Sequence, residues 1–148
     1  MKSRTKARSL ALQALYEIDL TGHNPGEVLE NLLEGVLTRD NAMLQEFSRQ
    51  IILGVVPIIQ DLDNFIAQHA PEWPLDQVAI IDRNIIRIAL WEFAVAECTP
   101  VKVAINEAIE LSKVYGSDST PRFVNGVLGS LVLRQAELKQ AFGAKRAG

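Results

Sequence analysis

Apolar residues recur at three- and four-residue spacings along the whole chain, and no segment sustains a two-residue alternation with β-branched enrichment and hairpin turns. A stripe with the first period lines one side of a helix, whereas a half-buried strand needs the second. Every element is therefore expected to be a helix. At 148 residues the chain is long enough to bury one substantial core. The expected fold is all-α: two packed helical sub-bundles forming one compact domain over residues 1–148.

The first helix is expected from about Ser3 to Leu20, with Ala7, Leu10, Ala11, Ala14, Leu15 and Ile18 on one stripe, stopping at Thr21-Gly22. Asn24-Pro25 supplies an N-cap and a first-turn proline for a short helix to about Leu37. A longer periodic run, about Asn41 to Gln68, contains Pro57, which removes a backbone donor and predicts a kink or break near Gly54. The Pro71-Glu72-Trp73-Pro74 stretch reads as a connector between an N-terminal sub-bundle (about 1–70) and a C-terminal one (about 75–142). From Val78 to Ala96 the chain is apolar on nearly every face, as a central helix would be. Thr99-Pro100 is expected to cap the next helix and Gly116 to end it. Ser119-Thr120-Pro121 should start another, breaking or fraying after Leu133. Residues 143–148 are small and basic and predict a disordered tail.

Charge is unevenly placed. Four of the fifteen Lys and Arg residues lie in the first eight positions, leaving eleven against eighteen carboxylates in the rest. A basic end thus sits on an acidic body. Cys98 is the only cysteine, which excludes an internal disulfide or a multi-cysteine metal site and suits a reducing, cytoplasmic setting. The N-terminal cations are not followed by an apolar run long enough for a signal peptide, because Gln13, Glu17 and Asp19 interrupt it, and no membrane span is expected. Two isolated histidines, His23 and His69, and the lack of a phosphate-cradling glycine loop or nucleophile elbow argue against an enzyme, a cofactor or a metal. Glu107 and Glu110 lie one turn apart, but Lys113 three residues on makes them a solvated charge face.

Two surfaces remain as candidate sites. At about 100° per residue, Lys2, Lys6, Ser9, Gln13, Tyr16 and Leu20 share the outer face of the first helix, flanked by Arg4 and Arg8. Cations neutralise phosphates, Gln13 can bond base edges, and Tyr16 can stack on an unpaired base, which together suit single-stranded RNA. An ordinary solvated helix start would look the same, although cations there oppose the helix dipole. On the second surface, Arg122, Gly126 and Gly129 face away from the apolar stripe of their helix, with Asn125 at the edge. Phe123 is open to two readings, core residue or stacking platform. Lys102 either extends the basic surface or is merely solvated. Asp82, Arg83, Arg87 and Glu92 interrupt the apolar central helix, where Arg83 and Arg87 would pair with acids on a neighbour and Asp82 could meet a partner protein.

The segment "KVAINEAIELSKVYGSDSTPRFVNGVL", Lys102 to Leu128, closely resembles the signature of the NusB family of transcription antitermination factors. "ALQALYEIDL" at Ala11–Leu20 and "IIDRNIIRIALWEF" at Ile80–Phe93 are similar to the same family, so the resemblance spans nearly the whole chain in order. It implies a fold of two helical sub-bundles and a noncatalytic function. The function implied is binding to boxA RNA of ribosomal RNA leaders together with NusE, a small-subunit ribosomal protein, within the elongating RNA polymerase complex and its other Nus factors. Carried over by position, the RNA-facing residues are Arg4, Lys6, Arg8, Gln13 and Tyr16, and then Lys102, Arg122, Phe123 and Asn125. The partner surface falls on Asp82 and Arg83. The start is less densely basic than in the more strongly basic members, Thr5 standing among the cations, so weak RNA binding without a partner is expected.

Two other classes compete. One is a helical accessory domain of the kind preceding the catalytic domain of some ribosomal RNA methyltransferases, against which the length of the chain counts. The other is a structural homo-oligomer with Trp73, Trp91 or Phe123 in a self-interface. A monomer and a homodimer are both compatible with the sequence.

Overall fold

The computed structural model describes residues 3–34, 42–70 and 77–147. All regular structure among them is helical, as the apolar period requires. Helix α1 (Ser3–Thr21) buries Ala7, Ala11, Leu12, Ala14 and Leu15. Small residues at three of those positions, Ala7, Ala11 and Ala14, let it lie close against its neighbours. Helix α2 (Pro25–Glu34) is capped by Asn24, whose Oδ1 accepts the backbone N–H groups of Gly26 at 2.9 Å and Glu27 at 3.3 Å. The expected end of α2 at Leu37, the Pro71–Pro74 connector and Trp73 lie outside the described residues.

The long run divides into α3 (Ala42–Val55), a 3-10 turn at Val56–Ile58 and α4 (Ile59–His69). Pro57 breaks the helix as expected, but at the proline itself. Gly54 remains helical, and α3 presses so closely on Trp91 there that a Cβ on Gly54 would overlap the indole ring. By length and hydropathy Ala42–His69 could cross a membrane. Here Phe47, Ile51, Ile52, Val55, Leu62 and Ile66 are buried in the core, while Gln50, Gln60, Asp61 and Gln68 face outward.

Helix α5 (Ile80–Leu90) packs against α1, α3, α4, α6 and α7, and every side chain from Asn84 to Leu90 is buried. It begins two residues after Val78 and does not continue as one α-helix to Ala96. Trp91–Val95 form a π-helical turn, in which the Ala96 N–H reaches the Trp91 carbonyl at 2.9 Å. The wider turn buries five consecutive side chains, Trp91, Glu92, Phe93, Ala94 and Val95. Trp91 is therefore a core residue, and a self-interface built on it is ruled out.

Helix α6 (Val101–Tyr115) starts without a side-chain cap. Thr99, expected as that cap, instead donates its hydroxyl to buried Glu92 at 2.6 Å. Gly116 does end α6, but its backbone is extended, with φ −91° and ψ −174°, not left-handed. A glycine is needed there because a Cβ would lie 2.5 Å from the Thr120 side chain. Helix α7 (Thr120–Val132) runs against α6. Helix α8 (Gln135–Ala147) docks on the π turn and buries Leu138 and Phe142, the latter 5.7 Å from the Phe65 ring. It stays helical beyond Gly143, where the sequence suggested a disordered tail. A flanking helix keeps its last turns when its anchor, here Phe142, sits close to the end. The buried side chains of α1–α4 and of α5–α8 merge in one apolar core.

Candidate nucleic-acid interface

Helices α1 and α6 run side by side in the same direction. The Thr5 hydroxyl donates to Glu107 at 3.1 Å, and Gln13 Nε2 donates to the Tyr115 hydroxyl at 3.1 Å; both pairs are 102 positions apart. That shared offset puts Lys102 level with the beginning of α1. The N-terminal ends of two parallel helices, each a region of positive potential, thus meet the cations of both. Arg4, Lys6, Gln13 and Tyr16 are exposed on α1, and Lys102 is exposed on α6. Arg4 is also steered: its guanidinium lies 4.5 Å above the Phe47 ring and 3.5 Å from the Cys98 carbonyl.

Arg8 is a correction. The sequence placed it beside the outer stripe as an RNA contact, but it is only 3% exposed. Its Nε and one terminal nitrogen each donate to Glu92 at 2.8 Å, and the other lies 3.6 Å from Glu107. Burial works against the charge of this guanidinium, yet the hydrogen bonds and charge of Glu92, with Glu107 behind, outweigh it and raise the Arg8 pKa. Being a flanking position, Arg8 turned inward once an acid waited inside.

Arg83 and Arg87 find the acids expected of them. Asp19, near the end of α1, accepts from Arg83 Nε at 2.7 Å, Asn84 at 3.0 Å and Arg87 at 2.9 Å, and Arg87 also forks onto Asp63 of α4 at 2.8 and 2.7 Å. Burial would raise the Asp19 pKa, but the hydrogen bonds from Arg83 and Asn84 and the charges of both arginines hold it below the usual carboxylate value. Arg83 is thus engaged within the fold, on the side of α5 next to Asp82.

The second surface is a cleft of about 660 Å³ between the starts of α5 and α7, lined by Val78, Ala79, Asp82, Ser119, Arg122 and Phe123 among others. Arg122 and Asn125 are exposed, and Phe123 is half-buried, one side on the core and the other toward the cleft. Gly126 lines the cleft, and beside Gly129 a Cβ would meet nothing, so that backbone is open to approach. Burial pushes the Asp82 carboxyl above its usual pKa, partly offset by the Thr120 hydroxyl donating at 3.0 Å. The structure thus unites Asp82 with Arg122 and Phe123 in one cleft, and Lys6 and Arg4 with Lys102 at one end of the α1–α6 pair. Gln13, through Tyr115, links the two regions along α6.

Tyr115 escaped the sequence reading; Glu107, read there as part of a solvated charge face, instead accepts from Thr5 at 3.1 Å and lies 3.6 Å from Arg8, and Ser119, read only as part of a helix start, lines the cleft. Tyr115 carries no pattern that marks it, since its value lies in reaching Gln13 from another helix. Glu92 did carry a signal, an acid inside an apolar helix. Among the described residues, no three His, Cys, Asp or Glu side chains are grouped so as to hold a metal ion.

These elements define a small all-helical protein with a basic, aromatic outer edge. Residues 5–132 match the NusB family, and the chain belongs to it. It is 48% identical over 130 residues to the transcription antitermination protein NusB of Dehalococcoides mccartyi, covering 87% of this chain and 89% of that one. With the NusB of a Roseiflexus species it shares 42% over 139 residues, 93% and 96% of the two chains. Among solved structures, T. maritima NusB superposes with a TM-score of 0.80 at 28% identity, covering 95% and 96%. A crystal structure of antitermination factors NusB and NusE in complex with dsRNA gives 0.79 at 27%, covering 88% and 96%.

Proposed function

We propose that this protein is a noncatalytic, cytoplasmic antitermination factor that binds boxA RNA of ribosomal RNA leaders together with NusE and joins the elongating RNA polymerase complex. The observation that carries the reading is the parallel α1–α6 pair, which gathers Arg4, Lys6 and Lys102 at one end and presents Gln13 and Tyr16 beyond them. Arg122, Phe123 and Asn125 extend the surface past Tyr115. Relatives named as antitermination proteins, and a similar chain crystallised with NusE and RNA, support it.

The cleft beside Asp82 is the proposed NusE contact. Its mixed lining suits a protein partner that brings an apolar side chain and a cation. Asp82 would meet the cation directly, while Arg83, tied to Asp19, would fix the helix that presents it.

Four exposed cations, each neutralising one phosphate at about 0.7 per contact, give a slope of about −2.8 in log affinity against log salt for a single strand. So shallow a slope means modest affinity without a partner. Titrating a boxA oligonucleotide with the protein and NusE over a salt series tests this. Lys6→Ala should flatten the slope by about 0.7. Tyr16→Ala should cost about 1–3 kcal/mol of stacking. Lys6→Ala should not lower the melting temperature, because its side chain faces solvent, and Tyr16, 36% exposed, is assayed well below the melting temperature of its variant. Binding that ignores salt and both substitutions would remove the site.

A further inference from the structure

We propose that Glu92 is a positioning residue for the RNA surface, acting through Arg8; the inference rests on the RNA-binding reading above. Glu92 is 1% exposed and belongs to no surface. The π turn that carries it is the one place where the central helix departs from α geometry, and it directs the carboxylate toward α1. Arg8 forks onto both Glu92 oxygens at 2.8 Å each, and Thr99 donates to one of them at 2.6 Å. Glu107 holds the same part of α1 through Thr5 at 3.1 Å and Arg8 at 3.6 Å.

Stability alone does not account for this arrangement. A buried ion pair commonly contributes no more than two apolar side chains of similar volume would. What the pair adds is direction. Asp19 ties the far end of α1 to α5, and Leu12 and Leu15 seat its middle in the core, whereas among apolar side chains its first two turns fully bury only small Ala7; there the two-pronged fork fixes rotation and register together. At about 100° per residue, even a fraction of a turn would carry Lys6 and Tyr16 off the face they share with Lys102. The fork also neutralises Arg8 inside the protein, so Arg4, Lys6 and Lys102 are left to face the phosphates.

Two variants test the proposal, both assayed with NusE and a boxA oligonucleotide across a salt series, well below each variant's melting temperature. Glu92→Gln keeps the shape and removes the charge that holds Arg8. It should weaken binding and flatten the salt slope by about 0.7 to 1.4, the loss of one or two phosphate contacts. The double variant Arg8→Met with Glu92→Leu fills the same space without direction. It should restore the melting temperature while the slope stays flattened.

A Glu92→Gln protein that binds more tightly or with a steeper slope would mean that Arg8 is itself a phosphate ligand held in reserve, and would overturn the proposal. Recovery of full binding by the double variant together with its stability would also overturn it, because Glu92 would then be a structural residue only. Wild-type protein that shows no salt-dependent binding would instead bring down the RNA reading and this inference with it. Wild-type binding with an unchanged Glu92→Gln variant would bring down the inference alone.

Discussion

Replacing Asp19 by alanine would remove the acceptor on which Arg83, Asn84 and Arg87 converge. The consequence can be worked from the geometry. Asp19 accepts from Arg83 Nε at 2.7 Å, Asn84 at 3.0 Å and Arg87 at 2.9 Å, and its side chain is 15% exposed. Removing one partner of a fully buried ion pair costs about 3–5 kcal/mol. Two facts pull the value down here. Water still reaches part of the network, and Arg87 keeps its fork onto Asp63. A loss of about 3 kcal/mol is therefore expected, which for a chain of this size is about 6–12 °C in melting temperature. Its pH dependence has a definite sign. The folded-state pKa of Asp19 lies below the ordinary value of 3.8, so the carboxylate stabilises the protein above that pH and loses its effect as pH falls through the lowered folded value. Urea unfolding of wild type and Asp19→Ala should thus differ fully at pH 7 and converge below about pH 3.8. A difference at pH 7 under about 0.5 kcal/mol, the level of an exposed ion pair, would refute the assignment of Asp19 as the acid that holds α1 to α5.

Three further outcomes are expected. Gly54→Ala gains about 1 kcal/mol of helix preference but drives a methyl group into the Trp91 indole, where overpacking costs about 1–3 kcal/mol; calorimetry should show net destabilisation and near-ultraviolet dichroism a changed tryptophan environment. Asp82 has a raised folded pKa, chiefly from burial, so its ionisation costs stability as pH rises above the unfolded value. Asp82→Asn should accordingly leave the melting temperature at pH 7 unchanged or raise it, while weakening NusE binding in a pull-down titration; a destabilised variant would contradict the first part. Phe142→Ala should cost about 3–5 kcal/mol and expose α8 amides to hydrogen exchange before those of α5, because Phe142 is fully buried near the end of α8.

The helices were legible in the sequence because the signals that set them are local. Apolar spacing marks α1 to within a residue, Asn24 announces α2 through its own side chain, and Pro57 breaks its run because a missing N–H needs no distant partner. The exposed cations and Tyr16 were legible for a related reason: a residue opposite an apolar stripe usually faces water. The family-like segments carried the rest of the functional reading.

Other features depended on which side chains meet after packing. Arg8 sits between the two faces of α1, and its spacing permits either; Glu92, eighty-four positions away, turned it inward. Thr99 looks like a helix cap until that same carboxylate claims its hydroxyl. The π turn is invisible to a period of 3.6, because it arises where five successive side chains are all drawn into the core. Local chemistry determined the helices and their polar faces, since each depends on neighbours within a turn or two. The tertiary structure alone decided which charges remain for a ligand and which are neutralised inside, because a charge takes its partner from whatever folding brings within hydrogen-bond reach.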